Sequence, residues 1–177
     1  MTTLGAVLLA VVGGSCAAAM TASSYRDRAI DISAYRTFDW GPADALPTGD
    51  PRLDRDPFFK DHVQGAVEKE LAARGLAIAT SARPDLLIHY HAHVTKRIDV
   101  NRVDSAYGYC AGGECPETME YEAGTLVVDV IDARTNRLIW RGWAQRTVED
   151  VLDNDDRMAR VITEAVKKMM QQFPPAL

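Results

Sequence analysis

Alternation of apolar and polar positions dominates the middle of the chain. Between 85 and 94, Leu86, Ile88, Tyr90, Ala92 and Val94 fall on one side of an extended segment, and Leu87, His89, His91 and His93 on the other. This predicts a strand that can run on to Val100. Thr125–Ile131 and Leu138–Val148 form two further strands around Asp132-Ala133-Arg134-Thr135-Asn136, a turn in which Asn136 suits a positive φ. Gly142 and Ala144 share a face with Leu138 and Trp140 and leave room for a helix to approach. A shorter alternation, Tyr35 to Trp40, predicts a first strand with Phe38 and Trp40 on one face.

Two segments change period. Phe59, Val63, Val67 and Leu71 recur every fourth residue, behind Asp56-Pro57 as cap and first turn and ahead of Gly75 as terminator. Met158, Ile162, Val166 or Ala165, Met169 and Phe173 draw a second stripe. Acidic residues open that helix, Lys167-Lys168 lie towards its end and Pro174-Pro175 stops it. The element order is β-α-β-β-β-α, without repeats or a second domain. The economical fold is α+β: a mainly antiparallel four-stranded sheet with two amphipathic helices packed on one face. Residues 17–29 read as a tether, the Pro- and Asp-rich stretch up to Pro57 as a loop, and 101–122 as a polar, Gly-rich insertion.

The chain's beginning is of another kind. Its first 24 residues carry no charged side chain, and the apolar run Leu4–Val12 is followed by small residues around Cys16. That is an export signal lacking the usual basic start, and too short to span a bilayer. Two processing sites compete. Gly13-Gly14-Ser15-Cys16 resembles a lipobox: cleavage before Cys16 would leave a cysteine carrying acyl chains such as palmitate, a stable membrane anchor. Cleavage after Ala19 or Ala22 would release a soluble periplasmic protein. The expected organisation is a signal peptide over 1–15, an anchor cysteine and tether over 16–29, and one domain over 30–177.

A net charge of −5 and a pI near 5.3 supply no basic field for nucleic acid. Three cysteines are present, and with Cys16 acylated Cys110 and Cys115 remain. In an oxidising compartment they pair as a disulfide across a small Gly-Gly loop; a metal site is the rival, lacking a second Cys or His pair nearby.

The search for catalysis is negative. G-x-S-x-G, P-loop, H-E-x-x-H and G-x-G-x-x-G signatures are absent, so no catalytic residue is expected. Asp150–Asp156 lacks the glycine and terminal Glu of a calcium loop and reads as a helix start. His89, His91 and His93 stand about 6.6–6.8 Å apart on one strand face, permissive spacing for Zn²⁺ or Cu²⁺ but without a converging fourth ligand. No cofactor or resident metal is expected. The face opposite the helices should carry His89, His91, His93, Val127, Ile131, Arg141 and Trp143. Arg and aromatic side chains favour binding hot spots, and the face is covered either by the 101–122 insertion or by another molecule.

Together, Tyr35-Arg36-Thr37-Phe38-Asp39-Trp40, Leu71 to Gly75, Pro84-Asp85-Leu86-Leu87-Ile88, Gly124-Thr125-Leu126, Asp132-Ala133, Leu138 to Ala144 and Phe173-Pro174-Pro175 resemble the bacterial envelope lipoproteins grouped as domain of unknown function 4136. The likeness covers about residues 25–175. It implies a non-enzymatic lipoprotein, placed at the outer membrane and facing the periplasm, that binds an envelope protein or acts structurally. A metal-binding periplasmic protein using His89, His91 and His93 is the alternative.

Overall fold

The computed structural model describes residues 19–41, 50–80, 83–98, 120–149 and 151–175. Strands are β1 (Thr21–Arg26), β2 (Thr37–Trp40), β3 (Ala77–Ile78), β4 (Leu86–Ile98), β5 (Glu120–Asp132) and β6 (Arg137–Thr147). Helices are α1 (Pro51–Arg55), α2 (Phe59–Ala72) and α3 (Asp155–Met170), with a 3₁₀ turn at Ile32–Ala34.

The sheet departs from the expected mainly antiparallel one of four strands. Among the described residues it has six, in the order β1-β6-β5-β4-β2-β3, and is mixed. β4, β5, β6 and β1 are antiparallel neighbours, whereas β2 runs parallel to both β3 and β4. The parallel pairing follows from connectivity: a helix between two strands carries the chain back to the end it started from, so β2 and β4 point the same way. Among the described residues three helices stand where two were expected, because α1 occupies part of the segment read as a loop. Its Asp50 accepts from the Arg52 amide, and Pro51 sits where no amide bond is lost. The residues read as a tether contain β1, whose backbone pairs with β6 from Thr21↔Gln145 to Arg26↔Trp140.

The periodic readings hold elsewhere. Phe59, Val63, Val67 and Leu71 are buried on α2, and Met158, Ile162, Ala165, Val166, Met169 and Met170 on α3. They meet Leu86 and Ile88 of β4, Leu126, Val128 and Val130 of β5, and Trp140 of β6 in one core. Asp56 accepts from the Phe58 and Phe59 amides ahead of α2, Asn154 caps α3 through the Arg157 amide, and Gly75 has a φ of 86°. In the hairpin turn Asn136 has a φ of 56°.

Two aspartates explain short motifs. Asp85 Oδ2 accepts from the amides of Arg36 and Thr37 at 2.9 Å each, fastening the start of β4 to β2. These backbone donors hold its carboxyl below the usual range. Asp132 accepts from the Arg134 and Thr135 amides and from the Tyr35 hydroxyl at 2.7 Å, tying the hairpin turn to the approach to β2. Burial, and then this bond, pushes the Tyr35 hydroxyl up to about 12.

Candidate functional site

The two-residue period of the strands divides the sheet. Leu86, Ile88, Val128, Val130, Trp140 and Ala144 enter the core. Their neighbours form an outer face whose order follows from the register. Across it, Tyr25, Arg141, Asp129 and His89 stand in one row, and Ser23, Trp143, Val127 and His91 in the next. Thr125 and His93 follow, with Ile131 and Leu87 on the other side.

Asp129 is the centre of this face. It is only 4% exposed. Arg141 donates to it through Nε to Oδ1 and Nη2 to Oδ2, both at 2.6 Å. The planar guanidinium matches a carboxylate with two parallel bonds, which offsets the cost of taking the charge out of water. The bond to Asp129 holds the Arg141 proton more tightly than usual. His91 Nε2 lies 3.7 Å from the same carboxylate, beyond a hydrogen bond, and its Nδ1 is buried without a partner. Val127 and Trp143 are paired and half-buried beside this group, as are Ile131 and Leu87. Arg141 keeps 45% of its side chain exposed and His91 35%, so the row presents polar edges around an apolar patch.

The structure places His89, His91, His93, Arg141 and Trp143 on one face, as the alternation predicts, but does not gather the histidines. His89 packs over Gly41, where an added Cβ would come within 2.1 Å of its Nε2. His91 leans towards Asp129, and His93 is exposed opposite Thr125. Among the described residues no three His, Cys, Asp or Glu side chains converge as metal ligands. Cys16, Cys110 and Cys115 lie outside the described residues. Sequence reasoning passed over Asp129. The turn alone does not give the pair: counting back from 132–136 sets Asp129 opposite Trp140, and a bulge between Val130 and Ile131 shifts it to Arg141.

The order of these motifs is that of a known family, and the model of a domain of unknown function, DUF4136, matches residues 22–175. The chain belongs to the DUF4136 family. A DUF4136 family protein from Bacteroides thetaiotaomicron has a similar solved structure, with a TM-score of 0.54 and 13% identity over 89% of this chain and 97% of that one. A PDZ domain protein from Parabacteroides distasonis aligns with a TM-score of 0.52 and 16% identity, covering 89% of this chain. The alignment spans 36% of the Parabacteroides protein. At these identities the likeness is one of fold. No curated protein sequence matches. Among the described residues, no helix is long and apolar enough to cross a membrane.

Proposed function

We propose that this DUF4136 protein is a non-enzymatic envelope lipoprotein, tethered through Cys16 at the periplasmic side of the outer membrane, whose outer sheet face docks an envelope protein. The observation that carries the docking face is the Arg141–Asp129 pair, set among half-buried Trp143, Val127 and Ile131 on the side of the sheet away from the core. A half-buried aromatic beside an arginine pinned in place is a low-entropy contact surface, the kind that concentrates binding energy. The tether rests on the apolar Leu4–Val12 run and the small residues before Cys16.

Two measurements test the reading. The mass of the mature N-terminus recovered from membranes should correspond to a chain beginning at an acylated Cys16; an unmodified N-terminus at Met20 or beyond, or an intact leader, refutes the tether. A photo-crosslinking residue at position 127, introduced in cells, should give one discrete protein adduct that disappears with Trp143→Ala and Arg141→Ala together. An adduct unchanged in that double variant refutes the face.

A further inference from the structure

The edge of the sheet carries a feature separate from the outer face. Among the described strands β1 is the terminal one, with β6 on one side only. Asp27 donates its amide to the Ile139 carbonyl, so odd-numbered residues of this strand turn their backbone towards β6. Even-numbered residues turn theirs outward. The first of these outward groups are covered, since Lys168 Nζ donates to the Met20 carbonyl at 3.3 Å and Gln172 Nε2 to the Ala22 carbonyl at 3.2 Å. Beyond them α3 has ended, and among the described residues no strand lies beside the outward amides of Ser24 and Arg26.

At that point Ser24, Tyr25, Arg26 and Arg28 line an open polar depression. Arg26 and Arg28 are exposed, and neither takes part in the ion pairs of the described residues. Of the neighbouring acids, Asp27 pairs with Arg137 at 2.7 Å, and Asp31 accepts from the Ser33 amide and hydroxyl, with the charge of Arg26 a smaller influence on it. Two guanidiniums outside those ion pairs therefore stand beside two outward strand amides and two hydroxyls in a chain of net charge −5. Guanidinium forks and backbone amides are complementary to the oxygens of a phosphate.

We infer that the Ser24–Arg28 depression at the β1 edge is an anion site that takes a phosphate group. The same chemistry is offered by a free phosphate ester and by an anionic lipid headgroup, and the test separates them. Full-length protein carrying Cys16→Ser is titrated calorimetrically with inorganic phosphate and glycerol 3-phosphate, and sedimented with vesicles of phosphatidylglycerol or of phosphatidylcholine. Each measurement is repeated with Arg26→Ala and Arg28→Ala together, and with both positions changed to Lys.

The site predicts saturable binding that the double alanine variant weakens about tenfold or more, with an unchanged melting temperature because both side chains are exposed. The double lysine variant keeps the charge, loses the fork and should fall between. Loss confined to the soluble phosphates assigns a phosphate ester. Loss confined to phosphatidylglycerol vesicles, with phosphatidylcholine binding the same in parent and variant, assigns a headgroup. Parent and double alanine variant that behave alike towards every probe overturn the inference.

Discussion

A tight packing constraint in the core lies where Gly142 faces the indole of Trp140. A Cβ added at Gly142 would stand 2.3 Å from Cη2, 2.8 Å from Cζ2 and 3.0 Å from Cζ3 of that ring. All three separations are too short for carbon contacts, and the ring has little room to yield. Trp140 is fully buried, and Phe173 packs edge-on against it with centroids 5.1 Å apart. Gly142→Ala should therefore displace the indole or part β6 from β1. Overpacking of this kind costs about 1–3 kcal/mol, which for a domain of this size lowers the melting temperature by about 2–12 °C. Thermal and urea unfolding followed by circular dichroism measure it. A second substitution identifies the cause. Trp140→Phe removes the atoms that clash, and Trp140 Nε1 has no hydrogen-bond partner to lose. In a double-mutant cycle the cost of Gly142→Ala should shrink by about 1 kcal/mol or more once residue 140 is Phe. An unchanged melting temperature for Gly142→Ala, or strict additivity with Trp140→Phe, would refute the packing argument.

Three further outcomes follow from the same structure. Gly65 lies in α2 with nothing within 4 Å of an added Cβ, so Gly65→Ala should raise stability by about 0.5–1 kcal/mol in urea titration; a lower midpoint contradicts this. Asp85, its carboxyl held low by the Arg36 and Thr37 amides, favours the fold when ionised. That contribution is present above the unfolded value of about 4 and is lost as pH falls through the lower folded value. Asp85→Asn should thus be less stable than the parent near neutrality, with the gap closing on acidification; a gap independent of pH refutes the assignment. Arg141→Leu leaves the Asp129 carboxylate buried without its main partner, and should cost about 1–3 kcal/mol at pH 7 by urea unfolding. Arg141→Lys should recover only part of it, since an ammonium cannot reproduce the two-bond fork.

Segments with a strong period were legible in the sequence. The α2 and α3 stripes, the 132–136 turn and the two faces of β4 each follow from a repeat of apolar positions, and burial selects those positions in the structure. β1 was not legible, because Thr-Ala-Ser-Ser-Tyr-Arg has no apolar alternation and is held by backbone pairing at an edge. β3 is two residues long, too short to show a pattern. α1 hides between Asp50-Pro51 and Asp56-Pro57, where the capping residues that start a short helix are also those of a loop. The expected mainly antiparallel sheet of four strands lacked β1 and β3, and the parallel β2–β4 pair, implicit in a helix between two strands, was not drawn from the β-α-β order. On the outer face, alternation placed His89, His91, His93, Arg141 and Trp143 together but could not say which would touch. The decisive partner, Asp129, sits between Val127 and Ile131; counting across from the turn sets it opposite Trp140, and the bulge that shifts it to Arg141 leaves no mark in the apolar pattern.

The pairing of residue 21 with residue 145 has a kinetic meaning. β1 leaves the ribosome long before β6, its neighbour among the described strands, and α3, which fastens its outer edge, comes later still. Closing so long a loop is entropically slow. The six-stranded sheet can be completed only after β6 and α3 have followed, so β1 waits without its partner while the strands between are made.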